Sequence, residues 1–152
     1  MEKILLSLQD LQTRINHYKI SRNHISSASV GWHIAHITIV IGRVVSSLVE
    51  SDSVNFKSKF SLTKTLVFAI NKIPRGKGKA PKASLPDANI SLEYLSAGTS
   101  IAIEKIKLLE GFEKNKHFAH PYFGNINKRD TIKFLNLHTK HHLKIIDDII
   151  SK

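Results

Sequence analysis

Apolar positions recur at helical spacing in four long stretches of the chain. Ile4, Leu5, Leu8, Leu11 and Ile15 predict a first helix from about Glu2 to Tyr18. The polar run KISRNHISSAS then reads as a loop, ending in serines suited to capping a helix. Val30, Ile34, Ile37, Ile41, Val44, Val45 and Leu48 form one stripe of a second helix, about Val30 to Glu50. SDSVNFKSK breaks that pattern, and Ser61 can cap a shorter helix in SLTKTLVFAINKI. Leu92, Leu95, Ile101, Ile103, Ile106 and Leu109 predict a third long helix, about Ile90 to Glu110, with Gly111 at its C-terminal end. KNKHFAHPYFGNIN follows as an irregular, aromatic-rich segment. Asn127 can cap a last helix running from about Lys128 to Ile150, and Asp130 in its first turn suits the helix dipole.

Four long helical patterns, one short one and no convincing strand pair predict an all-α domain spanning residues 1–152. A four-helix bundle is the economical arrangement, with residues 51–90 as a long connection between the second and third main helices. Within that connection PRGKGKAPKASLP is the clear shift in composition. It carries Arg75, Lys77, Lys79 and Lys82, with Lys72 just before, and reads as an extended crossover loop. Such a loop either stays solvated or touches an anionic ligand.

The composition is that of an ordinary globular protein: 152 residues, 41% of them hydrophobic. The longest apolar run, Ile34 to Val49, is interrupted by His36, Arg43 and serines and falls short of a membrane span of roughly 20 residues. MEKILLSLQDLQTRI is too short and too polar in its apolar part for a secretion signal, so a cytoplasmic, membrane-free protein is expected. The absence of cysteine excludes disulfides, thiolate metal sites and a cysteine nucleophile. Any metal must be held by imidazole nitrogen or carboxylate oxygen. The formal net charge of +11 attracts polyanions, anionic surfaces or acidic small molecules without choosing among them.

The candidate chemistry lies in LNLHTKHHLKII, residues 135–146. At about 100° per residue, His138 and His142 fall near the centre of the stripe made by Ile132, Leu135, Ile145, Ile146, Ile149 and Ile150, while His141 sits on its flank. Buried imidazoles must satisfy their nitrogens. Two of them one turn apart can converge on one divalent cation. A third ligand should come from a facing helix, and GWHIAHI offers His33 and His36. Periodicity slightly favours His33, since His36 lies at the edge of the apolar stripe. Otherwise one of the pair is exposed and the other packs against Trp32 or a loop. HPYFG brings His120 and its aromatic neighbours as a wall beside such a site or as plain packing.

VGWHIAHI (30–37), HPYFG (120–124) and LHTKHHL (137–143), in that order, resemble the DinB-like (DinB/YfiT) superfamily of metalloenzymes. More narrowly they resemble its branch with an HP-[YF]-FG segment before a helix carrying HxxxHHL. The resemblance implies a four-helix bundle that binds a divalent metal through three histidines, one from the second helix and two from the last. Carried onto this chain they are His36, which ends a W-x-x-x-H pattern begun by Trp32, with His138 and His142. This conflicts with the mild preference of periodicity for His33. His120 and His33 would then stand beside the site, behind the ligands or facing a substrate.

Relatives in that superfamily include bacillithiol S-transferases and mycothiol-dependent isomerases, in which the metal favours the thiolate of a low-molecular-weight thiol. The resemblance thus implies zinc, nickel, manganese or iron, a thiol cosubstrate and a small-molecule substrate. The expected function is a divalent-metal-dependent enzyme, a thiol S-transferase or a hydrolase. No acidic general base is evident, since Asp130, Asp147, Glu50 and Glu104 are not placed near the histidines by sequence. Two other readings stand beside it: a metal-binding, structural or regulatory bundle without catalysis, and a basic polyanion-binding module. The latter lacks any nucleic-acid motif, so no nucleic-acid partner is expected. A homodimer through one helical face fits any of these.

Overall fold

The computed structural model describes residues 1–76, 80–87 and 89–151. Among them five helices and a short hairpin follow in the order α1 (Glu2–Gln12), α2 (Val30–Glu50), α3 (Leu62–Ile70), α4 (Leu92–Leu108), β1 (His117–His120), β2 (Gly124–Asn127) and α5 (Lys128–Ser151). Local chemistry sets most of the starts. Ser29, Ser61 and Ser91 each accept a hydrogen bond from a backbone N–H in the first turn of α2, α3 and α4. Asn127 does the same for Asp130 at the start of α5. The Ser91 cap places the beginning of α4 two residues later than the apolar pattern suggests. The first helix ends early, at Gln12, and the chain continues as a 3-10 turn over Ile15–His17.

α2 packs against α4 and α5, and α1 packs against the same two helices. The apolar stripes meet in one continuous core that includes Leu8, Leu11, Ile34, Ile37, Ile41, Leu95, Ile106, Leu135 and Ile146. α2 is by length and apolarity able to cross a membrane, more nearly so than its interruptions suggest. Here its stripe is buried against two neighbouring helices, as in a core helix.

The strand pair is a correction to the all-helical expectation. β1 and β2 are antiparallel, pairing Phe118 with Ile126 and His120 with Gly124. Phe118 and Ile126 are buried, which seats the hairpin on the helices, and β1 contacts both α2 and α5. Gly124 closes the turn with φ +70°, a conformation that disfavours any side chain.

Parts of the segment after α3 are tied to the helices. Arg75 pairs with Asp148 of α5 at 2.7 Å, and His141 donates to the Ile73 carbonyl. A 3-10 turn at Lys82–Ser84 then lies against α2. Lys77 and Lys79, which contribute half of the basic residues expected in PRGKGKAPKASLP, fall outside the described residues.

Candidate metal centre

α2 and α5 each direct two histidines into the same buried region. Nitrogen atoms of His36, His138 and His142 all lie within 4.8 Å of one another. Ring centroids are 5.1 Å apart for His36 and His138, 4.9 Å for His36 and His142, and 4.6 Å for His138 and His142. The i,i+4 spacing on α5 stacks two imidazoles a turn apart, and the facing turn of α2 supplies the third.

The outer nitrogens are engaged in a way that orients the rings. His36 Nδ1 is 2.8 Å from the Ser84 carbonyl. A carbonyl only accepts, so Nδ1 carries the proton and Nε2 keeps its lone pair. Trp32 stacks on His36, with centroids 5.0 Å apart and planes 15° from parallel, so the W-x-x-x-H spacing is one helical turn of ring on ring. His142 Nδ1 is 2.9 Å from His33 Nδ1, and His33 Nε2 is 3.0 Å from Ser26 Oγ. His138 differs: its Nδ1 is buried and has no hydrogen-bond partner among the described residues.

Periodicity slightly favours His33 and the resemblance selects His36; without a metal, one of the two is expected to be exposed. Both are buried, at 4% and 3% exposure. They hold different places: His36 stands in the triangle, and His33 stands behind His142. His141, expected on the flank, lines the neighbouring cavity while bonded to Ile73. His117 packs against Phe56 and lies apart from the cluster.

Burial is the main cause of depressed basicity throughout. It lowers His33 and His120 to about 4, lowers His36 against the opposing effect of the Ser84 carbonyl, and holds His138 and His142 well below the ordinary histidine value. At neutral pH these imidazoles are uncharged, the form that offers a lone pair to a metal.

The triangle forms part of the wall of a cavity of about 600 Å³. Trp32, Val40 and Val44 of α2, Val67 of α3, Phe118 and Phe123 of the hairpin and Phe134 of α5 give it a mostly apolar surface. Pro74, Pro81 and Ser84 of the long connection contribute another side. No carboxylate is among the described lining residues. Asp130 is paired with Lys64, Asp147 with Arg14 and Glu104 with Lys107, and neither they nor Glu50 reach the cavity.

The helical scaffold thus brings together three histidines, one from α2 and two from an HxxxH on α5, whose nitrogens are close enough to share a metal ion. The DinB superfamily model matches residues 6–146, and the chain belongs to that superfamily. No curated protein and no solved structure matches it.

Proposed function

We propose that this chain is a divalent-metal-dependent enzyme in which His36, His138 and His142 hold the ion in a four-helix bundle. The observation that carries the reading is the state of the outer nitrogens. Ser84 fixes His36 with Nε2 free. If His142 donates through Nδ1 to His33, and His33 donates through Nε2 to Ser26, then His142 also presents a free Nε2 lone pair. Carbonyl, imidazole and hydroxyl partners of this kind orient metal-binding histidines and raise their donor strength. No hydrogen bond among the described residues ties the buried Nδ1 of His138, so this ring's donor nitrogen is not committed to a protein partner. Three nitrogen donors without thiolate suit zinc, nickel, iron or manganese.

A divalent ion held by three neutral imidazoles retains its full charge and lowers the pKa of a thiol or water that joins it. The chain itself provides the rest. It has no cysteine, so a reacting thiol must arrive as a low-molecular-weight cosubstrate. No carboxylate is among the described residues of the cavity wall, so proton transfer would fall to the cosubstrate or to an imidazole. The mostly apolar walls suit the carbon skeleton of a small electrophilic substrate. A thiol S-transferase fits these features best, with a hydrolase as the variant in which water replaces the thiol.

The test is the metal content of untagged protein beside His142→Ala and His36→Ala. About one divalent ion per chain is expected, lost in both variants. Protein that stays metal-free after incubation with each of the four ions would return the triangle to core packing. A fourth protein ligand seen in a metal-loaded crystal structure would leave a storage or structural site and remove the enzyme reading.

A further inference from the structure

His120 is held differently from every other histidine in the cavity. It closes β1, and its ring stacks on Phe123 at 4.1 Å with planes 16° from parallel, while Phe134 meets it edge-on at 4.5 Å. Its Nδ1 accepts two backbone hydrogen bonds, from Tyr122 N–H at 3.1 Å and from Phe123 N–H at 3.2 Å. A nitrogen that accepts from two N–H groups carries no proton of its own. In a neutral imidazole the proton must then sit on Nε2. Nε2 has no hydrogen-bond partner among the described residues, and the ring lines the cavity.

From this geometry we infer that His120 is a fixed hydrogen-bond donor in the cavity wall. The ligand it receives is a small, largely apolar molecule bearing an oxygen acceptor, a carboxylate or carbonyl. The inference rests on the cavity being the substrate site, as proposed above. Three further features agree with it. The backbone of the HPYFG turn fixes the tautomer, and the aromatic sandwich fixes the ring plane, so the donor is oriented before a ligand arrives. The described lining offers Arg43 as a second donor and has no carboxylate to repel an anion or attract an amine. Burial keeps the imidazole neutral at physiological pH, since it lowers the group to about 4. His120 therefore donates a hydrogen bond without delivering a proton. The motif explains its own spacing: the two N–H groups that lock the ring belong to the second and third residues after it, and Gly124 supplies the positive φ that ends the turn.

His120→Asn separates donor from fold. Asparagine Oδ1 occupies the place of imidazole Nδ1 and can accept the same two N–H groups, as in an Asx-turn, but its amide does not reach where Nε2 lies. His120→Phe, which keeps the ring stacking and loses both nitrogens, is the second variant. The first readout is the nitrogen shifts of the His120 ring in labelled protein, with and without zinc. They should show a protonated Nε2 and a bare Nδ1 at pH 7 in both states. The second is binding of 3-phenylpropionate and 3-phenylpropylamine to the zinc-free protein. The carboxylate should bind and the amine should not, and both variants should weaken the carboxylate about tenfold. A proton on Nδ1, or equal carboxylate affinity in the parent and in a folded His120→Asn, would overturn the assignment. Because tautomer and probe binding are read without zinc, loss of the metal reading would leave this result standing, and the reverse.

Discussion

Replacing His120 by asparagine isolates the cost of keeping one buried imidazole neutral. In the unfolded chain this group takes up a proton near its ordinary value of 6.5. In the folded protein burial lowers it to about 4. The unfolded state thus binds more protons between those limits, and acid favours it. Stability tied to His120 is complete above pH 6.5 and drains away as pH falls toward 4. The full difference corresponds to about 3 kcal/mol, of which roughly 2 kcal/mol has developed by pH 5. The ring also borders the cavity, so about 1–2 kcal/mol is the expected effect after allowing for solvent.

Asparagine does not titrate here, and every other histidine is common to both proteins. The stability advantage of the parent over His120→Asn should therefore shrink by about 1–2 kcal/mol between pH 7.5 and pH 5. Urea unfolding of metal-free protein, followed by circular dichroism at four pH values, measures this. Metal must be absent so that protons do not compete with an ion at the neighbouring triangle. The midpoints should converge with unchanged slopes. A gap that is constant across the range, or that widens in acid, would refute the claim that the ring is neutral and shielded.

Substituting His33 by phenylalanine removes the group behind His142 while preserving bulk. It should weaken metal binding about 10- to 100-fold in competition with a chromophoric chelator, and unchanged affinity would reduce His33 to packing. Stripping the ion should lower the melting temperature, since an ion present at 100 times its dissociation constant adds about 2.7 kcal/mol. A scan that is unmoved by chelation would count against tight binding. Ile34→Ala, at a fully buried position of α2, should cost about 2–5 kcal/mol in urea unfolding. In Gly31→Ala the added methyl would meet the Tyr18 carbonyl at 2.9 Å. That atom belongs to the backbone and cannot swing aside, so a loss of about 1–3 kcal/mol is expected despite the better helix propensity of alanine.

The long helices were legible because each buries one stripe and periodicity reports a stripe directly. Val30 to Leu48 and Ile132 to Ile149 lie where their patterns put them. The hairpin was not legible: HFAH and GNIN are four residues each, too short to display alternation, and are held by the turn between them. The pair His138 and His142 could be read from a wheel, but for the second helix the wheel leaned toward His33, whereas the cluster holds His36. Both are buried, and what distinguishes them is depth along the facing helix, which an angular projection discards. The fixing of His36 by the Ser84 carbonyl spans 48 residues and involves a backbone atom, so side-chain pattern carries no trace of it. The Trp32 stack on His36 had a sequence signal in its four-residue spacing, which only the resemblance to the DinB superfamily turned into a preference. Likewise, the pairing of Arg75 with Asp148 of α5 joins positions 73 apart in sequence, which a composition shift does not reveal.

The triangle is built on α2 and α5, whereas much of the cavity surface comes from the two connections, residues 51–90 and the HPYFG hairpin. The two jobs are thus written in different parts of the chain. On the proposed reading, substitutions in α2 and α5 should chiefly change metal content and changes in the connections should chiefly change what the cavity admits, apart from Ser84, whose carbonyl holds His36. A scaffold divided in this way lets a loop be exchanged while the histidine triangle on α2 and α5 stays in place. For the experimentalist, swapping residues 73–84 for another sequence that preserves the Ser84 carbonyl should alter selectivity before it alters metal content.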